Sequence, residues 1–188
     1  MSDITSASLF RISDSFRSES DRSAAILAAS LLDEQLKALL DKFLVTDKHK
    51  SKMFATYAPL STFSAKYEMA YLLALIPKDI RDDIEFVRKI RNLFAHRIED
   101  VAFDKPPVSD LVMNLKTIQW LLDHMHLADK PASPSELEEI IKSPRRRFEI
   151  TVAMVSLVLD EYINVTEPLT AKRNEYQWLS DMLQKGAT

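Results

Sequence analysis

The chain has 188 residues, 46% of them hydrophobic and 28% charged, which suits one globular domain with a real core and is too apolar for disorder. A single glycine, Gly186, argues against the turns and bulges of a sheet and against phosphate-cradling loops; the lack of cysteine excludes disulfides, thiolate metal sites and a cysteine nucleophile. A formal net charge of −3 argues against a dedicated, sequence-independent nucleic-acid binder, unless a local patch makes the contact. The expected fold class is therefore all-α: a compact helical bundle with a C-terminal helical extension. Met1–Ser6 lacks the basic and apolar regions of a secretory signal, and apolar runs such as Tyr71–Pro77 are too short to span a bilayer. A cytoplasmic protein without membrane contact is expected.

Residues 1–19 read as a short helix or flexible arm, with Leu9, Phe10, Ile12 and Phe16 as its apolar positions. The Ser20-Asp21 pair predicts a helix N-terminus, and the helix runs to about Leu44. Its expected core stripe is Ile26, Ala29, Leu32, Leu36, Leu39, Leu40 and Phe43. After a lysine-rich break at Asp47–Lys52, a second helix is predicted from Ser61 or Thr62 to Ile76, with Phe63, Tyr67, Ala70, Tyr71 and Ala74 on one side. Pro77 opens a third, Asp79 to about Arg97, whose core stripe reads Ile80, Ile84, Val87, Arg91, Phe94 and Ile98, with Phe86, Ile90 and Leu93 as a second line. A turn at Asp104–Pro107 leads to a fourth helix from Ser109 to about Leu127. Residues 20–128 thus form the expected bundle, and 129–188 the extension. The extension comprises a linker at Lys130–Pro134, a short helix at Ser135–Lys142, a longer one from about Arg145 to Asn164, and a final one over Thr170–Gln184.

Arg91 interrupts an otherwise apolar stripe, and such broken local rules favour functional sites. Arg91 and His96 are five residues apart and so point about 140° apart on a straight helix, whereas Asn92 and His96, at i and i+4, share a face that Arg88 joins one turn earlier. One reading is a groove shared with a second copy of the chain, where His96 moves a proton and Arg91 holds a phosphate. The structural alternative has Arg91 satisfying a carboxylate or helix-end carbonyls and His96 capping its own helix. His124 and His126 fall on opposite sides of a helix and His49 stands among lysines, so no metal site and no cofactor are expected. Asp33-Glu34 and Asp82-Asp83 read as solvated faces. Lys142 with Arg145, Arg146 and Arg147 forms the one dense basic cluster; positive charge at a helix start opposes the helix dipole, which tilts the reading of these arginines toward contact with a partner or a phosphate, a role expected of Arg88 as well.

The stretch Ala58–Tyr71 (APLSTFSAKYEMAY), followed by Val87–His96 (VRKIRNLFAH) and preceded by a helix containing Leu32–Leu36 (LDEQL), resembles the mannitol operon repressor (MtlR) family of bacterial regulators over roughly 20–130. The resemblance implies an all-helical fold and a role in transcriptional regulation without a recognisable helix-turn-helix. The Arg91–His96 segment also resembles the wider HEPN superfamily, whose nucleolytic members carry Arg, four to six residues, then His, with a polar residue after Arg. Arg91, Asn92 and His96 match that pattern. In such enzymes two protomers juxtapose their motifs to cut RNA without metal.

Two functions follow. The first is a non-enzymatic regulatory module that binds a protein partner rather than reading DNA directly, with direct nucleic-acid contact left open. The alternative is a metal-independent endoribonuclease with His96 as general acid/base, Arg91 as phosphate clamp and Asn92 positioning the pair. A homodimer is expected, because Leu31 and Ala38 lie off the main stripe and Tyr176, Trp178, Leu179 and Leu183 form an aromatic-rich terminal face.

Overall fold

The structure, a computed structural model, describes residues 6–96, 101–124 and 142–170. Among them are seven α-helices and no strand: α1 (Ser6–Asp14), α2 (Asp21–Phe43), α3 (Phe63–Leu72), α4 (Lys78–His96), α5 (Val108–Met113), α6 (Lys116–His124) and α7 (Pro144–Val165), with a 3₁₀ turn at Lys50–Phe54. The all-α expectation is met. The expected linker, the helix at Ser135–Lys142 and the final helix fall largely or wholly outside the described residues, as do Arg97, Ile98, His126 and the face containing Tyr176 and Trp178.

Local chemistry explains most helix starts. The Ser20 side chain accepts from the Ser23 N–H at 3.1 Å, so α2 begins where its sequence predicts. Thr62 caps α3 in the same way, accepting from the Ala65 N–H at 3.1 Å. The end of α3 differs from expectation: it stops at Leu72, not Ile76. The Ala74 N–H bonds to the Tyr71 carbonyl and the Leu75 N–H to the Ala70 carbonyl, both at 2.9 Å, with Ala74 at φ 56°. This pair of bonds is a Schellman motif, which normally places glycine at the left-handed residue. Tyr71 and Ala74, expected inside, are exposed.

The predicted fourth helix is broken into α5 and α6, and the cause is a residue read as solvated. Asp83 is fully buried on α4; its two carboxylate oxygens accept from the Lys116 N–H at 2.8 Å and the Thr117 N–H at 2.7 Å. It caps α6 from another helix, which no local pattern reveals. Asp33 is likewise no solvated residue, since it pairs at 2.7 Å with Lys66, itself buried on α3.

The core centres on α2, which packs against α3, α4 and α7, while α7 also meets α1, α4, α5 and α6. Contact on several sides moves the buried positions of α2 to Ala24, Ala25, Ala28, Ala29, Leu32, Leu36, Leu39 and Leu40, and leaves Ile26 40% exposed. Phe94 of α4, Phe103 of the following loop and Phe148 of α7 form a chain of rings with centroids 5.1 and 4.8 Å apart. The helix assigned from sequence to a C-terminal extension is thus a central helix of the bundle: nearly every residue from Arg146 to Ser156 is buried.

Two substitutions test these devices in chemical denaturation. Ala74→Gly relieves the left-handed conformation and is expected to stabilise the fold by about 1 kcal/mol. Asp83→Ala leaves two backbone N–H groups of α6 without acceptors and is expected to cost about 2 kcal/mol.

Candidate functional site

Helix α4 carries the residues the sequence singles out and presents them on two flanks. Its first half is held by charge: Arg81 pairs with Glu68 of α3 and with Asp82 and Glu85, and Lys116 of α6 reaches Asp79 and Asp82 at 3.0 and 2.8 Å. Burial alone would raise the Asp82 carboxyl, but hydrogen bonds from Lys116, Lys78 and Arg81 outweigh it and hold the group well below the usual carboxylate range. One turn beyond this network, Arg88 donates from Nε to the Tyr67 hydroxyl at 3.2 Å, a tie between α4 and α3.

Arg91 is different. It is half-buried and makes no hydrogen bond or ion pair to any described residue. It lines a groove of about 530 Å³ between α2, the start of α3 and α4, together with Asp33, Ser61, Thr62 and Ala95. Asn92 and His96 line a second groove, about 560 Å³, between α4 and α5; Leu93, Pro107 and Leu111 supply its apolar lining. His96 is exposed at the last residue of α4. The expectation that Asn92 and His96 share a face is met. Arg91 and His96 line different grooves, so one protomer does not bring the three residues together in one site.

A third groove, about 760 Å³, contains none of the candidate site residues read from the sequence. It runs between the α3–α4 turn and the end of α7, lined by Tyr71, Leu72, Leu75, Tyr162 and Val165 among others. Leu72 is 74% and Val165 62% exposed. The apolar periodicity read from the sequence placed Tyr71 inside, whereas the buried side of α3 is Phe63, Lys66, Tyr67 and Ala70, which leaves Tyr71 and Leu72 exposed in its last turn.

The basic cluster requires correction as a partner or phosphate contact. Arg146 and Arg147 are 6% and 5% exposed. Arg145 donates from Nε to Glu149 at 2.9 Å and from Nη2 to the Phe16 and Glu19 carbonyls, both at 2.7 Å, and pairs with Asp21. Burial would lower the Arg145 guanidinium, but Glu149 and Asp21 outweigh it and raise it; Arg147, whose buried Nε has no partner, is pushed down by burial. Arg146 pairs with Asp14 at 3.0 Å and Glu149 at 3.2 Å. Carboxylates from α1, α2 and α7 itself thus meet the charges of Arg145 and Arg146 from within the chain. Among the histidines, His124 stacks on Trp120 with centroids 4.6 Å apart. Leu31, expected at an interface, packs on the core, and Ala38 is exposed.

These elements define an all-α bundle around the central helix α7, with grooves on both flanks of α4. No protein-family model matches the chain, and no curated protein matches it in sequence. Its fold is MtlR-like: it is similar to a chain in the X-ray structure of the MtlR-HPr complex from Escherichia coli, with a TM-score of 0.50 and 21% identity over 84% of this chain and 97% of that one. Among the described residues no helix is long and apolar enough to cross a membrane.

The inward arginines yield a direct test. Arg145→Ala removes the partner of two carboxylates and two backbone carbonyls and is expected to lower stability by about 3 kcal/mol in urea denaturation. A solvent-facing arginine would change it by no more than about 0.5 kcal/mol.

Proposed function

We propose that this chain is a non-enzymatic regulatory module that acts through a protein partner, docked on the apolar face at the α3–α4 turn and the end of α7. The observation that carries this reading is the exposure of Leu72 and Val165 beside a groove also lined by Tyr71 and Tyr162. Contiguous apolar surface of this kind marks interaction sites on soluble proteins. The mannitol-repressor resemblance supports a role in transcriptional regulation. The fold similarity to a protein solved together with HPr makes HPr the first partner to test. Direct DNA reading is disfavoured because the densest basic cluster of the described residues is turned into the core.

Isothermal titration of the full chain with HPr from the same organism tests the reading. Saturable binding is expected, weakened at least tenfold by Leu72→Asp or Val165→Asp with an unchanged circular dichroism spectrum. An absence of binding overturns HPr as the partner, and unaltered binding by both variants overturns this face. A tight, sequence-dependent gel shift with promoter DNA by the protein alone overturns a partner-only mechanism. Homodimer formation belongs to the same proposal, and sedimentation equilibrium giving a mass near 21.5 kDa rejects it.

The unpartnered Arg91 keeps an endoribonuclease of HEPN type as a second reading, with a second copy needed to bring an Arg91 to a His96. Incubation with RNA in EDTA tests it: cleavage lost in His96→Ala supports it, and no cleavage removes it.

A further inference from the structure

We propose that the groove between α2, the start of α3 and α4 is a binding site for a small oxyanion-bearing molecule, with Arg91 as the clamp for its carboxylate or phosphate group. The inference stands on geometry that involves neither His96 nor the apolar face assigned to the protein partner.

Charge bookkeeping within the groove leaves one cation over. Asp33 lines it, but its Oδ1 is engaged by Lys66 at 2.7 Å, so that carboxylate is already matched. Arg91 has no partner in the described chain, whereas Arg88 one turn earlier is bonded to Tyr67. A half-buried guanidinium loses hydration without a compensating bond, and a ligand oxyanion supplies that bond in the forked geometry the guanidinium favours.

The remaining lining fits a ligand with a polar head and an apolar body. The Ser61 hydroxyl, which lines the same groove as Arg91, has no bond to a described residue, whereas the Ser30 hydroxyl is taken by the Ile26 carbonyl at 3.0 Å. Ile26, 40% exposed although it continues an apolar periodicity, offers apolar surface at the same groove. A volume of about 530 Å³ is that of a small-molecule site rather than of a single ion.

The test is a ¹H–¹⁵N NMR titration of the full chain with phenyl phosphate, phenylacetate and, as a neutral control, benzyl alcohol. Saturable shifts of the Ser61, Thr62 and Phe63 amides and of the Arg91 Nε–H are expected with the anions and not with benzyl alcohol. Tighter binding of phenyl phosphate assigns a phosphate ligand, and tighter binding of phenylacetate a carboxylate. Arg91→Gln, which breaks no side-chain bond among the described residues, is expected to weaken binding about tenfold or more. Ala95→Phe is expected to block it by filling the groove while leaving the charge in place. Equal binding of benzyl alcohol, no response to either anion, or wild-type affinity in either variant overturns the site.

Discussion

The structure depends above all on how the start of α7 is buried. Three consecutive arginines at a helix N-terminus oppose the helix dipole, and for two of them, Arg145 and Arg146, carboxylates and carbonyls of the chain meet the charge, while Arg147 is buried with its Nε unpaired. The carboxylates are Asp14, Asp21 and Glu149, and Asp21 also accepts from the Phe103 N–H at 3.1 Å. One carboxylate at the start of α2 therefore joins α7 to the loop that precedes α5. The Phe16 and Glu19 carbonyls add the α1–α2 connection to the same node. With α7 fixed at this end, its apolar length from Phe148 to Leu159 is buried against the rest of the bundle.

The same arrangement makes α4 a divider. Its early turns are committed to structure: Asp83 caps α6, and Arg81 and Asp82 tie α3, α4 and α6 into one ion network. Its later turns are not. Arg91 faces a groove of mixed polar and apolar lining toward α2 and α3, and His96 faces a mainly apolar one toward α5. An i, i+5 pair on one straight helix has no other outcome, because about 140° separates the two directions. Any chemistry that joins Arg91 to His96 needs a second copy, whereas binding on either flank does not.

This separation suits a module whose surfaces serve different ligands. The apolar face by Leu72 and Val165 has the character of a protein-docking surface; the Arg91 groove has the size and charge for a small anion. Both faces border α3, whose ends are set by the Thr62 cap and the Ala74 turn, so the two sites share a scaffold element without sharing residues.

Helical class, the start of α2 at Ser20 and the span of α4 were legible in the sequence, because glycine content, capping chemistry and 3.6-residue periodicity act within a few residues of one another. The candidate Arg91 was legible for the same reason, as a charge in an apolar stripe. Four features were not: that Asp83 interrupts a helix more than 30 residues away, that Ala74 takes a glycine's conformation, that the arginine triplet points inward, and that α7 is central rather than appended. Each is fixed by a partner distant in sequence or by packing against several helices at once. Local pattern determined which segments are helices; tertiary contact alone decided which of their charges are matched among the described residues and which, like Arg91, are not.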